Sequence, residues 1–299
     1  MRPRPVTSPP DISVARSSGP GAAATAAAAK AAPAGTGWKL SGKGSKGQSI
    51  SIPLSALHPR YGRAQRARVM DELLPRGQAL LRLARRYDIG VNIDAEEAER
   101  LTLSLDLVDA LAGDAELAGW DGLGFVVQAY QKRAPAVIGH LVALARRTRR
   151  RLMLRLVKGA YWDSEIKRAQ VDGLDDYPVF TRKAHTDLCY LVCAARLLDA
   201  PDAIYPQFAT HNAHTVATVA ALARARGVDA YEFQCLHGMG EPLYDQVVGN
   251  EDFGRGRACR IYAPVGTHRT LLPYLVRRLL ENGANSSFVN RLADPAVAV

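Results

Sequence analysis

Side chains able to bind anions, move protons or tune a redox group recur at one kind of place in this sequence: at or just after short apolar runs. Asp94 ends IGVNID, Gln128 lies in LGFVVQA, and Arg155 and Lys158 lie in LMLRLVK with Tyr161 and Trp162 following. Thr210, His211 and Asn212 end the run IYPQFAT, His237 follows YEFQCL, and Tyr262 lies in RIYAPV. Asp94 with Glu97 reads first as a capping box, D-x-x-E, opening a helix, although one carboxylate can serve both a cap and a site. Arg155 falls within an apolar run, where a charge needs a buried partner. A carboxylate on a neighbouring strand and a bound anion or cofactor both meet that need, and the residues leave the two open. Lys158 at a strand end is also suited to Schiff-base chemistry. Thr210 and Asn212 suit the cap of a following helix, whose free N–H groups would favour a phosphate. His211 and His214 lack an acidic neighbour at ligand spacing, so no metal is expected. Gly238-Met239-Gly240 has Leu243 where a dinucleotide fingerprint needs its third glycine.

The elements that must position these groups alternate. Apolar runs near 49–54, 89–94, 123–129, 152–158, 204–210, 231–236 and 260–265 read as strands that are apolar nearly throughout, as strands buried on both faces are. Amphipathic stretches near 63–87, 95–111, 131–149, 180–199, 213–226 and 268–282 read as helices; Leu101, Leu105 and Val108 mark one stripe. Strand followed by helix, repeated, implies a parallel sheet, and the chain length suits one α/β barrel. Only seven strands are legible, so the expected fold is a (β/α)8 TIM-like barrel short of its first strand. In such barrels the working residues sit at the C-terminal strand ends, where the polar groups above fall.

Residues 1–47, rich in Ala, Gly, Pro and Ser, cannot bury enough apolar surface to fold and are expected to be a disordered leader. Their acid-poor start has a faint likeness to a transit peptide, but their Pro and Gly would break a targeting helix. The barrel is expected over 48–294, with a tail at 295–299. The net charge of +10 is concentrated in the leader, where seven bases face one acid, leaving +4 for the remainder. That balance gives no basic face, and no nucleic-acid partner is expected. The four cysteines form no CxxC pair, and a reducing cytoplasm fits them best.

In the terminal stretch THRTLLPYLVRRLLENGAN, Tyr274, Arg277, Arg278 and Glu281 share a stripe. An exposed Arg277–Glu281 pair would give such a stripe, and so would two adjacent arginines clamping a carboxylate over the barrel mouth.

The segments SALHPRY, NIDAEEAERL, VVQAYQKRAP, RLVKGAYWDSEIKRAQ, YPQFATHNAHT, YEFQCLHGMGEPLY, RIYAPVGTH and YLVRRLLENGANSSFVN closely resemble the proline dehydrogenase domain of the bifunctional PutA family. The resemblance runs from about Ser49 to about Asp294. It implies a distorted barrel holding FAD at its mouth, oxidation of L-proline to 1-pyrroline-5-carboxylate by hydride transfer to flavin, and a quinone acceptor at the membrane. A cytoplasmic, peripherally membrane-associated protein would follow. The resemblance gives Asp94 and Arg155 catalytic roles, with Arg155 also beside flavin N5. Tyr161, Leu236, Tyr262, Tyr274, Arg277 and Arg278 would form the proline pocket. Ala95, Gln128, Lys158, Gly159, Ala160, Trp162, Thr210, His211, Asn212 and Glu281 would hold or neighbour FAD.

Two departures stand out. Pro53 occupies a position where the family has a lysine, and the family's first-strand segment is replaced by the leader. Loss of that strand would make SISIPL an edge, where a proline is tolerated. Neither end resembles the family's DNA-binding or aldehyde dehydrogenase domain, which would belong to a longer protein. A non-catalytic remnant, or an aldolase using Lys158, are the alternatives left open.

Overall fold

Each apolar run is followed by a segment long enough to return across it, and the result is a single curled sheet. A computed structural model describes residues 12–16, 48–249, 257–265, 271, 272 and 276. The strands are β1 (Ile12–Arg16), β2 (Ser49–Ile52), β3 (Gly90–Ile93), β4 (Leu123–Gln128), β5 (Leu152–Val157), β6 (Ile204–Ala209), β7 (Glu232–Leu236) and β8 (Cys259–Val265). The helices are α1 (Arg66–Arg86), α2 (Leu101–Ala112), α3 (Ala134–Arg147), α4 (Trp162–Val171), α5 (Lys183–Leu198), α6 (Ala213–Ala225) and α7 (Glu241–Gly249). From β2 to β8 every neighbouring pair is parallel, giving the seven parallel strands expected.

The place next to β2 and β8 is taken by β1, drawn from the leader and antiparallel to both, which closes the sheet. This changes the account of Pro53. β2 is paired on both sides at Ser49 to Ser51, so it is not an edge there. Pro53 instead lies one residue beyond the ladder, at φ −72°, where it opens a single turn over Leu54–Ala56. No ladder N–H is required at that position, which is why proline fits.

The outward faces of the strands carry the main core. Ile93, Phe125, Leu154, Leu156, Phe208 and Phe233 pack against Leu73 and Leu81 of α1, Leu103 and Leu107 of α2, Leu141 of α3 and Cys193 of α5. The inward faces are different in kind. Ser49, Ser51, Asn92, Arg155, Gln207, Glu232, Gln234 and Arg260 are all buried, so the strands alternate apolar and polar. The expectation of strands apolar nearly throughout therefore fails on this face. Gly124 makes room for it, since a Cβ there would meet Asn92 Oδ1 at 1.7 Å.

Two helices, α4 and α7, have no counterpart in the sequence reading. Of the helix expected near 268–282, Leu271, Leu272 and Val276 are helical. Tyr274, Arg277, Arg278 and Glu281 lie outside the described residues. No helix among the described residues is long and apolar enough to cross a membrane.

At the end of the barrel where the strands begin, Arg150 holds the segment leading from α2 into β4. It is buried and donates from Nε to Ala112 O (2.7 Å), from Nη1 to Leu117 O (2.5 Å) and from Nη2 to Asp114 O (2.7 Å). Ala112 O ends α2 and has no other donor among the described residues, while Asp114 O and Leu117 O also accept from the amides of Leu117 (3.1 Å) and Trp120 (3.2 Å). Arg150→Met should preserve much of the packing but strand Ala112 O and weaken the hold on Asp114 O and Leu117 O, lowering stability by about 2 kcal/mol. Urea denaturation measures this, and a loss below about 1 kcal/mol would show that water or backbone shifts replace the arginine.

Candidate active site at the mouth of the barrel

Strand register brings the polar groups together. β2 carries Ser51, β5 Arg155, β7 Gln234 and β8 Tyr262, all directed inward, while Asp94 follows the last residue of β3. The Asp94 amide donates to Ile52 O at 3.0 Å, so the β2–β3 ladder fixes its backbone. Asp94 is not the helix cap that its spacing with Glu97 suggests. Residues 94–97 are irregular, a short turn occupies Ala98–Arg100, and α2 begins only at Leu101. The carboxylate turns into the barrel because the charge of Arg155 is there.

Arg155 is the centre of the constellation. Its Nη1 donates to Asp94 Oδ1 (3.1 Å) and to Ser51 Oγ (3.0 Å), and its Nε donates to Gln234 Oε1 (2.7 Å). Ser51 Oγ donates to the same Asp94 oxygen. The guanidinium carbon stands 4.6 Å from the centre of the Tyr262 ring, within cation–π range. Burial pushes the Asp94 carboxyl above its usual range, opposed by the charge of Arg155 and by hydrogen bonds from Ser51 and Tyr262. Both alternatives left open for Arg155 are therefore in play: a carboxylate pairs it, and one donor edge remains. Arg155 Nη2 is buried and has no hydrogen-bond partner. A buried donor left unmade costs about 1–3 kcal/mol, so this edge suits an acceptor supplied by a ligand. The electron-rich edge of a flavin fits that requirement in charge and hydrogen-bonding type.

The other predicted residues surround this centre on the same ends of the strands. Gln128 ties the loop after β3 to the loop after β5, donating to Glu96 O (2.9 Å) and accepting from the Ala160 amide (3.4 Å). Ala95 is half-buried in the first of these loops. Gly159, at φ +138°, lies against Tyr130, whose ring a Cβ would meet at 2.5 Å, so only glycine fits. Tyr161 precedes α4, and the exposed Trp162 opens it, donating to Phe180 O at 2.9 Å. Asn212 caps α6 as expected, its side chain accepting from the Thr215 amide at 2.9 Å. Thr210 Oγ1 accepts from the Asn212 amide (3.2 Å), and His211 Nε2 accepts from the amide of Leu236 (3.1 Å). Lys158 joins a different group: its ammonium is bound to Asp187 near the start of α5, which also binds Lys183. Burial lowers the Lys158 pKa, while Asp187 holds it up.

Ser51, Gln234, Glu232, Arg260 and Asp187 were not singled out in the sequence. The signal available for the first four was alternation, S-I-S, E-F-Q and R-I-Y, within runs otherwise rich in apolar residues. Among the described residues no cluster of three or more His, Cys, Asp or Glu could hold a metal ion.

Comparison with known proteins gives the family and the fold. A family model described as proline dehydrogenase matches residues 18–291. The bifunctional protein PutA of Klebsiella aerogenes is 68% identical over 251 residues, which is 83% of this chain and 19% of that protein. PutA of Escherichia coli K12 is 67% identical over 254 residues, again 19% of its length. Proline dehydrogenase 1 of Bacillus subtilis is 31% identical over 215 residues, 71% of this chain and 61% of that protein. A crystal structure of Bradyrhizobium japonicum proline utilization A superposes with a TM-score of 0.79 at 59% identity, covering 83% of this chain and 25% of that one. The chain thus spans about a fifth of the length of the PutA proteins it matches. By the family match and these identities, the chain belongs to the proline dehydrogenase family.

Proposed function

We propose that this chain oxidises L-proline to 1-pyrroline-5-carboxylate with FAD as its cofactor. The observation that carries the reading is the unpartnered Nη2 edge of Arg155, buried at the strand ends beside Asp94 and Tyr262. When bound, FAD supplies a two-electron acceptor for hydride. Arg155 presents positive charge and a free donor to the reacting region, which favours an electron-rich partner. Gln128, Lys158, Gly159, Ala160, Trp162, Thr210, His211 and Asn212, with Ala95 and Glu281, form the cofactor's surroundings in this reading. Arg277 and Arg278 bind the proline carboxylate bidentately, and Tyr161, Leu236, Tyr262 and Tyr274 enclose the ring. Proline would lose a hydride from Cδ to the flavin and its N–H proton to solvent as the Cδ=N bond forms. Asp94 lies beside this region, where hydrogen bonds from Ser51 and Tyr262 and the charge of Arg155 oppose the upward push of burial on its carboxyl.

A membrane quinone as final acceptor, a cytoplasmic location with peripheral membrane contact, and an aldehyde dehydrogenase domain within a longer protein belong to the same proposal. The rival reading, a Schiff base on Lys158, is disfavoured by its pairing with Asp187.

The direct test is anaerobic mixing of the flavin-loaded chain with L-proline: bleaching of the flavin colour supports the reading, and no bleaching at saturating proline rejects it. Arg278→Lys keeps the charge but loses the planar fork, and a rise in proline KM of roughly tenfold is expected. An unchanged KM in an active protein would remove Arg278 from the substrate site. Ser51→Ala removes a donor to the ionised form of Asp94, so the Asp94 carboxyl should titrate at still higher pH. Carbonyl 13C NMR reads that titration, and a downward move would contradict the assigned hydrogen bond.

A further inference from the structure

Below the mouth the barrel interior contains a second ion pair that the proposed chemistry does not use. Glu232 and Arg260 are both 0% exposed and meet bidentately, Nε to Oε1 at 2.7 Å and Nη2 to Oε2 at 2.8 Å. Glu232 also accepts from Gln207 Nε2 (2.9 Å), Gln234 Nε2 (2.8 Å) and the Tyr205 hydroxyl (3.3 Å). Gln207 in turn accepts from Asn92 Nδ2 at 2.9 Å. Residues from β6, β7 and β8 thus converge on one carboxylate, with Asn92 of β3 behind Gln207.

This arrangement decides which way Gln234 faces. An ionised carboxylate only accepts hydrogen bonds and a guanidinium only donates them. Gln234 lies between the two, with Glu232 on one side and Arg155 on the other. Its NH2 must therefore face Glu232 and its carbonyl oxygen must face Arg155 Nε. The flipped amide would set oxygen against carboxylate and N–H against N–H, so only one orientation is satisfied. Asp94 and Ser51 both hold Arg155 by Nη1 alone. The added hold at Nε fixes the plane of the fork, and with it the direction of Nη2.

We propose that Gln234, oriented by the Glu232–Arg260 pair, is the positioning residue that aims the free edge of Arg155 at the site's ligand. The identity of that ligand as flavin rests on the function proposed above; the positioning itself does not.

The test is hydrogen exchange at arginine Nε–H, read by 15N NMR on the full chain without added cofactor, with Arg155 assigned through Arg155→Lys. In Gln234→Leu the Arg155 Nε–H should exchange at least tenfold faster than in the unsubstituted chain. Arg150 Nε, on Ala112 O, and Arg260 Nε, on Glu232, should stay protected and show that the barrel is intact. Unchanged Arg155 exchange with intact controls overturns the proposal. If the controls also lose protection, Glu232→Leu with Arg260→Met replaces the pair by apolar groups of similar size and leaves Gln234 held from the Arg155 side alone. Faster Arg155 exchange in that variant with Arg150 Nε still protected supports the proposal, and unchanged Arg155 exchange, or faster exchange only together with Arg150, overturns it. A parallel FAD titration of the unsubstituted chain separates the two readings: failure to bind FAD removes the flavin assignment and leaves the exchange result standing.

Discussion

A guanidinium can be buried inside a closed sheet only where its charge is balanced and its donors are met. Arg155 sets this constraint, and the inner wall of the barrel is organised around it. Ser51 and Asp94 take one end of the fork, Gln234 takes Nε, and Tyr262 covers a face. Gln234 transmits the requirement inward to Glu232, whose own charge is met by Arg260. Among the described residues, Arg155 and Arg260 with Asp94 and Glu232 thus occupy the interior with amides between them. Among the donors of Arg155 the one left unmet is Nη2, and on the same inner wall Asn92 Oδ1 and Ser49 Oγ are also buried without a partner.

Two halves of each strand do separate work. The outward residues of β5, Leu152, Leu154 and Leu156, are nearly inaccessible and bind the helices, while Arg155 projects inward between them. Stability can therefore be held in the sheet–helix layer, and site chemistry can be placed on the inner face and the strand ends. The loops follow the same division: Gln128 braces two of them, and Asn212 caps α6 beside His211.

The sequence showed the seven parallel strands to within about two residues, because each is a compact apolar run followed by an amphipathic helix. It also singled out Asp94 just after β3, and Arg155 and Tyr262 within β5 and β8, since a charge or a phenol in or beside an apolar run is conspicuous. Three things were hidden, each for a physical reason. The strands have only four to seven residues, too few for the alternation around Asn92 or Gln234 to stand out against Val91, Ile93 and Phe233. The role of Asp94 was masked because D-x-x-E is equally a cap, and only Arg155 from a distant strand decides between them. β1 was invisible because its pairing comes from backbone groups, which a leader rich in small residues does not advertise. It backs both β2 and β8, the strands that carry Ser51 and Tyr262.

The central claim is that the Arg155 charge is held in the barrel to act on an electron-accepting ligand. The midpoint potential of bound flavin in Arg155→Met, compared with the unsubstituted chain, tests this most directly. Removing the cation and leaving Asp94 uncompensated should disfavour the reduced, electron-rich form, so the potential should fall. A bound flavin whose potential is unchanged or higher in Arg155→Met would contradict the account.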